Sequence, residues 1–251
     1  MFRRLISLLG IGVFVLLWWT GVHFSRTHIL PTPLASLNAL KELSRKGLLF
    51  RYSIASLYRV TWGYLSAVVL GVPLGLLLGS SRRLRIAFNP YLQILRPISP
   101  LAWIPISILW FGVGDVSAIF IIFVASFLPI TVSAMNAVAN VSQVHIDVAR
   151  NMGLSTRAML LRVLLPSALP QLIVGLRIAL GIAWLVVVAA EMIAVNSGLG
   201  FLIIDARNAG NRYDVVVAGM MTIGALGLLL DQGMRRIDRI PWLKAREMGL
   251  S

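Results

Sequence analysis

The chain of 251 residues is 58% hydrophobic and 13% charged, with a mean hydropathy of +0.86, far above that of a soluble domain. Its 23 Lys and Arg outnumber 9 Asp and Glu, giving a net charge of +14, and it contains no cysteine. Thiolate zinc sites, redox pairs and disulfides are therefore excluded, and the basic excess reads as membrane topology rather than nucleic-acid binding.

Charged residues leave uncharged runs near the roughly 17 to 25 residues a helix needs to cross a bilayer. The first is 6–22, behind Arg3 and Arg4; no small-residue cleavage pattern follows Trp18, Trp19 and Thr20, so it reads as a retained span. Next comes an extended external strap over 29–34, since Pro31 and Pro33 bias their predecessors away from the helical region. A short amphipathic helix, 34–45, follows on the outer surface. The second span lies between Arg59 and Arg82 and carries Gly63, Gly71, Gly75 and Gly79 on one face, a pattern for close helix packing.

The third span runs from about Tyr91 to Gly114 and contains Pro97, Pro100 and Pro105. Proline removes a backbone donor and clashes with the preceding turn, so the segment is either a kinked helix or a broken one. Broken backbone at membrane depth is tolerated only inside protein or beside a water-filled cavity, and the expectation is that a pathway runs past it. A fourth span starts after Asp115, a polar stretch occupies 140–162, a fifth span covers 169–195, and a sixth lies between Asp214 and Asp231. The reading is an all-α polytopic membrane protein with about six spans in one domain, 1–251. Within it, 1–58 form the first span and strap, 59–235 the core with a cytoplasmic segment 143–166, and 236–251 a cytoplasmic tail.

Basic residues set the orientation. With the N-terminus inside, Arg3, Arg4, Arg82, Arg83, Arg85, Arg150, Arg157, Arg162, Arg235, Arg236, Arg239, Lys244 and Arg246 are cytoplasmic. A smaller set, Arg26, Lys41, Arg45, Lys46, Arg51, Arg207 and Arg212, is external. Both termini are expected in the cytoplasm.

The chain offers no energy source of its own. A phosphate-binding loop needs a Gly-Lys pair, and glycine precedes none of Lys41, Lys46 and Lys244. His23, His28 and His145 are scattered without metal-ligand spacing, and no nucleophile elbow is present. An intramembrane enzyme is poorly supported.

Residues 147–166 are too polar to span and too apolar for a free loop. Val148, Met152, Met159, Leu160, Val163 and Leu164 recur at helical spacing, which predicts two short amphipathic helices. Gly153 is the expected break and Pro166 the expected end of the second helix. On these grounds alone the segment is either a knob for a soluble partner or a helix lying on the membrane surface.

Asp147, Ala149, Gly153, Val163, Leu165 and Pro166 match the spacing of the EAA motif of ABC-importer permeases: E-A-A, three residues, G, nine residues, I-x-L-P. Asp147 stands for the Glu, Val148 for the first Ala and Val163 for the Ile. The strings RPISPLAWIP at 96–105, WFGVG at 110–114, GLRIALG at 175–181, AAEMIA at 189–194 and SGLG at 197–200 resemble the nitrate, sulfonate, taurine and bicarbonate group of these permeases. The resemblance implies the type I importer permease fold and a homodimer in the bacterial inner membrane. It also implies two separate ATPase subunits that bind ATP and Mg, and a periplasmic or lipid-anchored solute-binding protein. Asp147, Ala149, Arg150, Gly153 and Leu154 then belong to the helix seated on the ATPase.

Arg177, about two turns into the fifth span, is expected either to attract an anion or to serve gating or structure; Glu191, 14 residues on and about 21 Å away, cannot neutralise it. Ser99 and Trp103 are pathway candidates able to donate a hydroxyl and an indole N–H, unless they only pack. Glu191 is a candidate for the gate or for contact with the delivery protein, or else a helix-end cap. Gly198 and Gly200 lie in the external loop 196–214, the expected docking surface. The rival functional class is an ion-coupled secondary transporter or channel, which ordinarily shows inverted repeats; none is visible. A scaffold for membrane complexes leaves the broken third span and Arg177 unexplained.

Overall fold

The computed structural model describes residues 2–24 and 30–238. Arg26, Ile29 at the head of the strap, and Arg239, Lys244 and Arg246 of the tail lie outside them. Within the described residues the chain is helical, beginning with α1 (Phe2–Phe24), α2 (Pro33–Arg45), α3 (Leu48–Ser80) and α4 (Arg82–Leu95). A 3-10 turn (Pro100–Trp103) leads into α5 (Ile104–Phe111), followed by α6 (Asp115–Ala139), α7 (Gln143–Asn151) and the single turn α8 (Thr156–Met159). A π turn (Leu160–Leu164), α9 (Leu165–Ala194), α10 (Leu199–Gly210) and α11 (Tyr213–Asp238) complete the order.

Four helices are long and apolar enough to cross a membrane: Leu48–Ser80, Asp115–Ala139, Arg157–Ala194 and Tyr213–Arg236. A fifth crossing comes from α4 joined to the 3-10 turn and α5, bent by 79° at the break. α1, at 23 residues, is the remaining long helix, and its described side chains are largely exposed.

Small residues fix the core. α3 runs along α6, and the glycine face explains the approach. A Cβ on Gly63 would lie 2.7 Å from the Ile122 side chain, one on Gly75 2.4 Å from the Thr131 carbonyl, and one on Gly79 2.5 Å from the Met135 carbonyl. α9 packs on the other side of α6, with Gly175 against Ser133. Buried Ala67, Ile130 and Ala179 join the three helices at mid-height.

Several expectations need correction. The second span does not start after Arg59: α3 begins at Leu48 and carries Arg59 inside it, 1% exposed. The third span starts at Arg82 rather than near Tyr91, and the sixth continues past Asp231 to Asp238. Pro166 does not end the second helix of the cytoplasmic segment. It stands at the start of α9, inside the continuous helix Arg157–Ala194. The π turn before it, closed by the Leu165 N–H on the Leu160 carbonyl, absorbs the clash a proline ring makes with the preceding turn.

Candidate functional site

Segment 143–166 is built by local rules. α7 ends at Gly153, whose φ of +73° is the left-handed conformation that glycine takes without strain. The Leu154 N–H reaches the Ala149 carbonyl at 3.1 Å and the Gly153 N–H the Arg150 carbonyl at 2.9 Å, the paired bonds of a Schellman cap. Ala149 is buried and Ile146 faces the cluster of Leu164, Ala168 and Leu172, so one side of α7 is fastened to the base of α9. The other side is bare. Val144, Val148 and Met152, at intervals of four, form an exposed apolar row with Met152 74% exposed. Asp147 accepts from Gln143 Nε2 at 3.2 Å and meets Arg150 at 3.8 Å, and both charges stay more than half exposed. The apolar residues of 147–166 thus divide: Val148 and Met152 point out, whereas Met159, Leu160 and Leu164 pack inward.

At the other end of the bundle four segments meet in a buried polar cluster around Arg59. Its Nε donates to Asp115 Oδ1 at 2.8 Å; Nη1 donates to Glu191 Oε1 at 2.6 Å and to the Ser197 carbonyl at 2.7 Å. Nη2 meets Ser197 Oγ and, at 2.7 Å, Asp115 Oδ1, so all five guanidinium N–H groups are occupied. Glu191 is 0% exposed, and its other oxygen accepts from Ser56 Oγ and from the Gly200 N–H, each at 2.9 Å. Ser56 Oγ in turn accepts from the Leu199 N–H at 3.0 Å. A Cβ on Gly198 would lie 2.3 Å from the Glu191 carboxyl carbon, and one on Gly200 2.3 Å from the Val188 carbonyl. Burying a carboxylate and a guanidinium is costly unless they are paired and hydrogen-bonded; here both Glu191 oxygens accept and every guanidinium proton is used. The cluster fastens α10 and its approach loop to α3 and α9.

Glu191, Gly198 and Gly200 are all buried and support the loop 196–214 from beneath. The polar surface of that loop is the exposed side of α10, with Asp205, Arg207 and Asn208. Arg177 has a partner in Asp231 of α11, 2.7 Å from its Nε, and Asp231 also accepts from Arg235 at 2.7 Å. Ser99 is exposed and caps the 3-10 turn by accepting from the Leu101 N–H at 3.3 Å; Trp103 is half-buried in that turn. Sequence reading missed Arg59, Ser56, Asp115, Ser197 and Asp231. The available signal was that apolar sequence resumes on both sides of Arg59.

The family model described as binding-protein-dependent transport system inner membrane component matches residues 71–240. The taurine transport system permease protein of Escherichia coli is 36% identical over 248 residues, covering 94% of this chain and 89% of that protein. The bicarbonate transport system permease protein of Synechococcus elongatus is 37% identical over 247 residues, covering 94% and 88%. Among solved structures, an inward-facing form of the MetNI methionine ABC transporter aligns with a TM-score of 0.69 at 24% identity. It covers 76% of this chain and 95% of that one, a likeness of fold. The chain belongs to the family of binding-protein-dependent transport inner membrane components, as a membrane-spanning permease subunit of an ATP-binding-cassette importer.

Proposed function

We propose that this chain imports a small solute carrying an oxyanion group, through a pathway formed with a second copy of itself and driven by ATPase subunits seated on α7. The observation that carries the coupling is the apolar row of Val144, Val148 and Met152, exposed on a helix whose opposite face is fixed to the base of α9. An exposed apolar row rimmed by charges marks a protein interaction site. Asp147, Ala149, Arg150, Gly153 and Leu154 supply its shape: two rim charges, a buried anchor and a capped turn. ATP and Mg belong to the partner subunits, whose closure pulls the paired α7 helices together and reorients the pathway.

The substrate class follows the relatives named for taurine and bicarbonate. A periplasmic or lipid-anchored binding protein delivers it to the exposed face of α10. The chain sits in the bacterial inner membrane with both termini in the cytoplasm. Gly153→Pro and Asp147→Lys test the coupling by co-purification with the ATPase subunit and by uptake. Both variants are expected to lose uptake and the ATPase; unchanged assembly and uptake in both would overturn the assignment.

A further inference from the structure

The position of Arg96 in the membrane follows from chain geometry. α3 ends at Ser80 on the inner side, where Gly79 packs against Met135 and Val138 of α6. At the other side the Ser107 hydroxyl lies 2.7 Å from that of Ser117, near the start of α6. Between Ser117 and Val138 α6 rises about 30 Å, the thickness of the hydrocarbon core. Residues 81–107 therefore climb the whole membrane. The 3-10 turn with the first turn of α5 supplies at most about 14 Å of that rise. The bend at 96–99, a turn closed by the Ile98 N–H on the Leu95 carbonyl at 3.2 Å and followed by extended Ser99, adds at most about 13 Å. α4, about 21 Å long, supplies the rest. Arg96, at its upper end, stands midway along the broken candidate span 82–111.

There it is exposed, and among the described residues its guanidinium has no hydrogen-bond or ion-pair partner. An arginine at this depth faces water or a counter-charge, because hydrocarbon does not solvate it. An independent observation marks the same place: the backbone breaks at Pro97 to Pro100 with a 79° bend, and Ser99, Leu101 and Ala102 there are exposed. Open backbone at this depth requires protein or a water-filled cavity beside it. Below Arg96, Gln93, Asn89, Arg85 and Arg82 follow at intervals of three or four and so share one face of α4. Leu84, Phe88, Tyr91 and Leu95 take the opposite side. Arg177, by contrast, is matched by Asp231.

We propose that Arg96 is the cationic contact for the oxyanion group of the translocated solute, and that the polar face of α4 forms its track to the inner surface. The assignment rests on the substrate class given above. The test uses the complete complex, with ATPase and binding protein, in proteoliposomes supplied with taurine or bicarbonate. Arg96→Gln lowers uptake at least about tenfold while the ATPase still co-purifies, the loss expected for one charge-assisted hydrogen bond; Arg96→Lys keeps most of it. Uptake by Arg96→Gln at the wild-type rate overturns this assignment alone. Uptake of neither solute by the wild-type complex overturns the substrate class as well.

The absence of cysteine makes Arg96→Cys the single thiol in the chain. Facing the pathway, it reacts with a membrane-impermeant anionic methanethiosulfonate, and saturating solute slows the reaction. An unreactive thiol indicates a lipid headgroup as the arginine's anion and overturns the proposal, as does reaction that solute leaves unchanged.

Discussion

At the outer end of the bundle, Arg59 directs five N–H groups onto Asp115, Glu191 and Ser197, and Glu191 is sealed from solvent. At the inner end, Asp147 and Arg150 meet only at 3.8 Å and stay exposed beside the apolar row of α7. The first arrangement consumes its polar groups in holding four segments of one chain together; the second keeps them available. A damaged outer cluster should therefore cost stability, and a damaged inner segment should cost coupling while the bundle stands.

The largest effect is expected from Glu191→Ala, which leaves Arg59 buried without its main counter-charge, at a cost of about 3–5 kcal/mol. Thermal unfolding of the purified permease measures it, and a melting temperature equal to wild type breaks the comparison at its strong end. Gly200→Ala places a methyl group 2.3 Å from the Val188 carbonyl and is expected to cost about 1–3 kcal/mol in the same assay, since the backbone there has little room to yield. Gly153→Ala has open space around it, so only the left-handed conformation is penalised, by about 1–2 kcal/mol confined to the end of α7. Its melting curve should overlay wild type while ATPase co-purification falls; a shifted curve with intact coupling would reverse the contrast between the ends.

The smallest effect concerns Glu42 on α2. Its carboxyl is held below the usual carboxylate range by hydrogen bonds from Lys46 and then Arg212. A depressed folded value means this contribution is fully present above the ordinary carboxylate pKa, about 4.3, and is lost as pH falls through the folded value. Melting should be insensitive to this pair near neutrality. Glu42→Gln should flatten part of the decline below about pH 4 with little change at pH 7, because an exposed pair contributes little.

What the sequence made legible were features coded by neighbours. α2 was expected over 34–45 and runs Pro33–Arg45; the glycine face of α3, the proline break of the third span and the turn at Gly153 each follow from residues within a few positions. The Arg59 cluster was not legible, because Glu191 lies 132 positions away and a charge without a visible counter-charge looks like the end of a span. Arg177 hid its partner for the same reason, 54 positions off. Pro166 misled in the opposite way. Its local rule is sound for a helix interior, but the π turn lets the chain pass it.

That passage makes Arg157–Ala194 one uninterrupted helix of 38 residues, about 57 Å long, with half of the coupling segment at one end and Glu191 near the other. The π turn sets the torsional register between those ends. Deleting one residue within 160–164 would convert it to ordinary α-helix and swing everything before it by about 100°. A single-residue change in chain length at this turn is therefore expected to re-aim α7 relative to the helices of the bundle.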